Sequence, residues 1–150
     1  TGLGSAFMVD GRLVYGANFM SGEIGYYIEK DDFIRGKKNA LENFGVAENK
    51  VSGSALEKLF PSCEEFFDLE RKGDEKALKV MEAFLLNLSL IIANSISLLN
   101  PEKVILSGGI SESIQGHIET IRGHVANLTP APVKIEIGLL GNWDISIFKK

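Results

Sequence analysis

Three short stretches of this 150-residue chain join glycine to a hydroxyl or carboxylate side chain, and each could hold an oxygen-rich ligand. The first is Thr1-Gly2-Leu3-Gly4, where glycines let backbone N–H groups approach an anion and the threonine hydroxyl adds a donor. The same residues also suit a tight turn entering a sheet, and short glycine patterns do not decide between the two. The second is Ser107-Gly108-Gly109-Ile110-Ser111, set between an apolar run and a helical pattern. Ligands of open α/β sheets sit beyond the carboxyl ends of strands, where a following helix N-terminus favours negative charge. A strand-to-helix turn with glycines needed only for packing gives the same pattern. Gly-Lys-Ser/Thr is missing, so this is not a Walker A loop. The third is Ser21-Gly22-Glu23-Ile24-Gly25-Tyr26. Glu23 can accept hydrogen bonds from ligand hydroxyls there, or stand as an ordinary solvated loop carboxylate.

Other reactive side chains read as structural. A single cysteine, Cys63, excludes an intramolecular disulfide and a Cys-rich zinc site. No histidine is near it in sequence, so a half-buried small residue is expected rather than a nucleophile. His117 and His124 lie seven apart on one helical pattern and read as surface or interface residues. Glu64-Glu65 and the charged run from Glu70 to Lys76 read as solvated helix faces, and Trp143 as a packing anchor. The formal net charge is −4, which argues against a partner held by phosphate-backbone contacts and so against direct nucleic-acid binding. Glycine is the compositional outlier, with 16 residues, or about 11% against a typical ~7%.

The elements that must carry these loops follow from periodicity. Ser5 to Val9 and Arg12 to Tyr15 read as strands of a hairpin turning at Asp10-Gly11, a type I′ signal. A strand is expected at Tyr26 to Glu29, then a polar, irregular stretch from Lys30 to Asn39. Ser52 or Ser54 can cap a helix over Ala55 to Phe60, with Glu57 three residues after Ser54 as in a capping box. A short helix through Arg71 follows Pro61-Ser62. Glu75 to Leu99 then forms a long helix, capped by Gly73-Asp74 and stopped at Asn100-Pro101. Its residues Met81, Phe84, Leu85, Leu88, Ile91, Ile92, Ile96 and Leu99 make one apolar stripe. Polar residues such as Asn87, Ser89, Asn94, Ser95 and Ser97 favour a core helix over a membrane span. Lys103 to Ser107 is a buried strand, Ser111 caps a helix through Asn127, and Val133 to Leu139 is a last strand. Strand–helix–strand order at the end implies a right-handed crossover, and the whole an α/β layer structure.

The spacing of the three clusters resembles the ROK family (repressor, open reading frame, kinase) of the sugar kinase, Hsp70 and actin superfamily. The resemblance is carried, in order, by Thr1-Gly2-Leu3-Gly4 with Asp10-Gly11, Gly16-Ala17-Asn18 and Gly22-Glu23-Ile24-Gly25. It continues through Leu41-Glu42, Val51 to Leu56, Leu99-Asn100-Pro101-Glu102 and Ser107 to Ser111. It implies an actin-like, ribonuclease H-like ATPase lobe with a mixed sheet and flanking helices, residues 1–150 being the carboxyl-terminal lobe of a two-lobed protein. It implies transfer of the ATP γ-phosphoryl, with Mg²⁺, to a hydroxyl of a hexose or N-acylhexosamine. On this resemblance Thr1, Gly2 and Gly4 meet phosphate, Gly108 and Gly109 lie beside adenosine, and Glu23 and Glu42 hold sugar hydroxyls. The family's catalytic aspartate would precede Thr1, so no catalytic residue is assigned here and the chain alone is expected to be inactive. Family members often hold a structural zinc on one His and three Cys. Alignment on Gly25 and Leu41-Glu42 puts Tyr26, Phe33, Arg35 and Ala40 at those positions, so a zinc-free variant is expected, with Tyr26 free to offer its hydroxyl to the sugar. Gly141-Asn142-Trp143-Asp144 departs from the family pattern. The expected partners are sugar, ATP and the amino-terminal lobe, with a homodimer and a cytoplasmic, membrane-free setting. The alternative is the sugar-sensing lobe of a ROK transcriptional regulator.

Overall fold

The elements divide into two units, Thr1–Phe66 and Phe67–Lys150, in a computed structural model that describes residues 2–40 and 43–138. Thr1, Glu42 and the Gly141–Asp144 stretch therefore lie outside the described residues.

In the first unit, strands β1 (Met8–Val9) and β2 (Arg12–Leu13) pair antiparallel, shorter than the apolar runs suggest. Asp10 and Gly11 have φ of 50° and 72°, the left-handed geometry that a type I′ turn demands. The strand expected at Tyr26 to Glu29 is not formed. Instead Ile24–Tyr26 is one 3₁₀ turn, in which Tyr26 N–H donates to the Glu23 carbonyl and Tyr27 N–H to that of Ile24. Those amides are thereby removed from strand pairing. The polar stretch after it contains helix α1 (Lys30–Ile34), started by reciprocal bonds between Glu29 and Asp32. Helix α2 (Gly53–Glu57) is capped by Ser52, whose Oγ accepts from Ala55 N–H at 3.1 Å. Ser52, rather than Ser54, is thus the cap, and α2 ends short of Phe60. Helix α3 (Cys63–Arg71) runs across the division between units. Val46, Val51, Leu56, Phe60 and Phe66 are buried, with the Phe60 and Phe66 ring centroids 4.9 Å apart.

Helix α4 of the second unit spans Glu75–Leu99, as its periodicity predicts. Asp74 caps it by accepting from Ala77 N–H at 2.9 Å, and Asn100 ends it at φ 44°, just before Pro101. The stripe from Met81 to Ile96 is buried, and α4 packs on α5 (Ile118–Leu128) through Ile121 and Val125. By length and composition α4 could cross a membrane, yet its apolar stripe is occupied by this packing. Strands β3 (Lys103–Leu106) and β4 (Lys134–Ile137) pair in parallel, Val104 opposite Ile135, with α5 as the crossover between them. Arg122 on α5 donates from Nε and a terminal nitrogen to the Ile135 carbonyl, at 3.0 and 2.5 Å.

Three expectations are corrected in this unit. Ser111 does not cap a helix: its N–H and Oγ both donate to the Gly108 carbonyl, at 3.0 and 2.6 Å, closing a turn. A 3₁₀ turn at Gln115–His117 precedes α5, which starts only at Ile118. The histidines are half-buried, each with one contact inside this unit. His117 Nε2 lies 3.4 Å from Glu70 Oε1, and His124 Nδ1 lies 3.4 Å from the Oγ of fully buried Ser89. Glu70, read as solvated, is accordingly mostly covered, whereas Glu64 and Glu65 are exposed as expected.

Candidate functional site

An open cleft of about 330 Å³ in the first unit is lined by Met20, Glu23, Tyr26, Asn39 and Ala40. Two of the expected sugar contacts, Glu23 and Tyr26, therefore share one cavity. Glu23 is exposed and Tyr26 half-buried, a combination that offers a carboxylate and a phenol to a polyhydroxylated ligand. Asn39 was not anticipated. Its Nδ2 donates to the Tyr26 carbonyl at 2.6 Å and its Oδ1 accepts from Val46 N–H at 2.9 Å. The amide thus ties one wall of the cleft to the buried segment that begins at Gly45. Its proximity to Leu41-Glu42 in sequence was the available signal.

The positions aligned with family zinc ligands do not form a donor set. Tyr26 and Ala40 line the cleft, while Phe33 is 75% exposed on α1 and Arg35 is exposed just beyond it. Phenyl, methyl and guanidinium groups do not ligate zinc. Among the described residues, no group of three His, Cys, Asp or Glu side chains is placed to hold a metal ion.

In the same unit, three segments meet backbone to backbone. Ser5 donates to the Gly22 carbonyl through both N–H (2.8 Å) and Oγ (2.9 Å). A Cβ on Gly22 would stand 2.0 Å from the Ser5 carbonyl oxygen, and its φ of 94° is itself left-handed. The Gly25 carbonyl accepts from Ala47 N–H (3.0 Å) and Glu48 N–H (3.1 Å), and a Cβ on Gly45 would lie 2.0 Å from that oxygen. These approaches require residues without side chains. Glu48 completes the junction: Oε1 accepts from Leu3 N–H and Oε2 from Gly45 N–H, both at 3.0 Å.

A second pin holds α1. Asp32 is buried, and Lys50 Nζ lies 2.5 Å from its Oδ2 and 2.8 Å from Glu29 Oε2, with Lys37 3.5 Å from Oδ1. Burial pushes the Asp32 carboxyl up. The Lys50 ammonium, the Glu29 N–H and Lys37 outweigh that effect and hold it below its ordinary value of 3.8. Burial likewise pushes Lys50 down, but Asp32 and Glu29 hold it above 10.5. Cys63 is half-buried, and burial together with Glu57 raises its thiol pKa, which agrees with a structural role.

In the second unit, Gly108 and Gly109 follow the carboxyl end of β3. Gly108 has a φ of 112°, while a Cβ at either position would meet no heavy atom within 4 Å. Close packing therefore does not explain Gly109. Gly4 is equally open in the first unit, whereas a Cβ on Gly2 would fall 2.0 Å from Glu48 Oε1.

Comparison with known proteins agrees with this architecture. An N-acetyl-D-glucosamine kinase of Photobacterium profundum is 30% identical over 125 residues, covering 74% of this chain and 41% of the relative. Among solved structures, the ROK hexokinase of Thermus thermophilus superposes with a TM-score of 0.75 at 20% identity, covering 91% of this chain and 48% of that one. A ROK-family transcriptional regulator, homologous to the E. coli MLC protein, superposes with a TM-score of 0.72 at 24% identity, covering 91% and 39%. The chain spans about half the length of the proteins it matches. The ROK family model matches residues 1–136, all three glycine clusters included. With that match the chain belongs to the ROK family, and its α/β architecture is part of the actin-like ATPase fold of ROK sugar kinases.

Proposed function

We propose that this chain is the carboxyl-terminal lobe of an ATP-dependent sugar kinase acting on a hydroxyl of a hexose or N-acylhexosamine. The observation that carries the reading is the shared cleft of Glu23 and Tyr26, walled by Asn39 and Ala40. Glu42 follows Ala40 by two residues in sequence, and the proposal gives it the same task as Glu23: a carboxylate accepting from sugar hydroxyls. Tyr26 contributes its hydroxyl to the sugar.

The nucleotide is assigned to the open glycines. Gly108 and Gly109 leave space at the carboxyl end of β3 for adenosine, and Gly4, with Gly2 and Thr1, offers backbone and hydroxyl donors to phosphate. Bound Mg²⁺ would neutralise charge on the phosphates; no described residue is assigned to it, and no zinc is included. The protein's own part is positioning and electrostatic stabilisation. The base that takes the hydroxyl proton is placed in the preceding lobe, so the isolated 150-residue chain is expected to show no turnover. The full protein is proposed to be a cytoplasmic homodimer with no nucleic-acid or membrane contact through this lobe.

A panel of hexoses and N-acylhexosamines, assayed with the full-length protein by ADP release, tests the reading. One sugar should be turned over, and Glu42→Ala or Glu23→Ala should raise its KM at least tenfold. Unchanged kinetics in both variants would remove the carboxylates from the sugar site. Likeness to the regulator supports a second reading, a sugar-sensing lobe beneath a DNA-binding segment. A helix-turn-helix in the preceding sequence, with sugar binding but no ADP release, would establish it in place of the kinase.

A further inference from the structure

We infer that Asn39 is a positioning residue of the sugar cleft, its side-chain amide setting where Tyr26 presents its hydroxyl. The inference rests on the sugar-binding part of the proposed function and holds for kinase and regulator alike. The two backbone polar groups of Tyr26 are held from different directions. Its N–H donates to the Glu23 carbonyl at 3.1 Å, within the 3₁₀ turn that joins these two cleft residues. Its carbonyl accepts from Asn39 Nδ2 at 2.6 Å. Asn39 is itself anchored, because its Oδ1 accepts from Val46 N–H at 2.9 Å and Val46 is buried. The anchor is stiff in turn. Ala47 N–H donates to the Gly25 carbonyl at 3.0 Å, and Asn49 Nδ2 donates to the Phe44 and Gly45 carbonyls at 3.1 and 3.0 Å.

Two successive carbonyls, those of Gly25 and Tyr26, are thus tied to one stretch of chain by different means. The Gly25 bond runs backbone to backbone, and any residue but proline at position 47 supplies it. The Tyr26 bond exists because residue 39 carries a donor and an acceptor on one planar amide. The donor meets a carbonyl and the acceptor meets an N–H, so a single orientation of the amide satisfies both. Asn39 also lines the cleft beside Ala40, opposite no fixed bond but this one to Tyr26. Its clasp therefore sets both the backbone from which the phenol projects and the spacing of the cleft walls. A sugar ring carries several hydroxyls of like chemistry that differ in direction. A site separates them by donors and acceptors held at fixed places.

The test uses the full-length protein and its variants Asn39→Ala, Asn39→Asp, Tyr26→Phe and the Asn39→Ala, Tyr26→Phe double variant. Binding of D-glucose and of N-acetyl-D-glucosamine is titrated directly, together with ATP binding, Tm and amide exchange at Val46. Asn39→Ala should weaken the sugar that wild type binds by about 5- to 10-fold, leave ATP affinity within twofold and let the Val46 amide exchange faster. Asn39→Asp keeps an acceptor for Val46 but turns another acceptor toward the Tyr26 carbonyl. It should protect Val46 as wild type does and still lose about fivefold in sugar affinity, a split that a merely structural role would not produce. Tyr26→Phe should weaken the sugar by itself, and Asn39→Ala should add less than twofold in that background, because both act on one hydroxyl. Sugar affinity within twofold of wild type in both Asn39 variants would overturn the role. So would losses that only follow the folded fraction, or full additivity with Tyr26→Phe. A wild type that binds neither sugar overturns the sugar-cleft reading and this inference with it, whereas a binding wild type with unaffected Asn39 variants overturns Asn39 alone.

Discussion

The stretch from Gly2 to Lys50 and the α4–α5 pair are held by different physics. In the first, backbone meets backbone at Gly22, Gly25 and Gly45, and two polar pins, Glu48 and Asp32–Lys50, fix the loops. In the second, a helical stripe of aliphatic and aromatic side chains buries itself between Met81 and Val125. A contact with no side chain has no rotamer through which to relax, whereas an apolar interface accommodates hydrophobic residues of similar volume. The cleft is therefore carried by the less forgiving region. That is where a binding geometry gains most from rigidity, since loops on a firm scaffold position ligands best.

The largest effect should come from breaking that backbone junction. Gly22→Ala places a methyl 2.0 Å from the Ser5 carbonyl oxygen at a φ of 94°. Overpacking costs about 1–3 kcal/mol and the left-handed conformation about 1–2 more, so unfolding in urea should show a loss of about 2–5 kcal/mol. Retention of wild-type stability would mean that the Ser5 and Gly22 segments of the junction can part without consequence.

A polar pin should cost less, and its signature is pH. Asp32→Asn removes the buried charge facing Lys50 and should destabilise by about 1–3 kcal/mol near neutrality, as for hydrogen bonds to charged groups. Because the folded Asp32 pKa lies below 3.8, its contribution is complete above that value and fades as pH falls through the depressed folded pKa. Lys50 behaves in the opposite sense: its contribution holds below 10.5 and is lost as pH rises through the raised folded value. The Asn variant should thus narrow its deficit against wild type at both extremes. Thermal melts across pH check this, and a deficit independent of pH would show that the ion pair adds nothing beyond packing.

On the helical side, Ile121→Val should cost only about 0.5–1.5 kcal/mol, although Ile121 is wholly buried. A loss as large as that of Gly22→Ala would erase the distinction between the two regions.

What the sequence revealed divides along the same line. Helix α4 was legible to its ends, because a 3.6-residue stripe, the Asp74 cap and Asn100-Pro101 all act within a few residues of chain. The Asp10-Gly11 hairpin was legible for the same reason. Tyr26-Tyr27-Ile28 carries strand-favouring side chains, but the 3₁₀ turn at Ile24–Tyr26 ties up the amides of Tyr26 and Tyr27. Asn39, Glu48 and Lys50 escaped notice because their partners stand 13, 45 and 18 residues away, at Tyr26, Leu3 and Asp32. Glu23 stood out because glycines flank it, and Tyr26 through the family resemblance that puts it at a zinc-ligand position; the glycines mark a junction whose other sides lie far along the chain.

The smallest expected change in stability is also the most informative about ligand. Gly109 faces open space, and its φ falls outside the left-handed range in which L side chains are strained. Gly109→Ala should leave unfolding within about 0.5 kcal/mol of wild type, as surface substitutions usually do. Gly22→Ala threatens fold and cleft together, so its loss of activity would not identify what the glycine served. Gly109→Ala separates the two, since nothing in the fold asks for glycine there. In the full-length protein, on the kinase reading, it should raise the KM for ATP several-fold while the KM for sugar stays unchanged, if adenosine occupies the space left free. An unchanged KM for both substrates would return Gly109 to the role of a simple strand-to-helix linker and shift the nucleotide away from the end of β3.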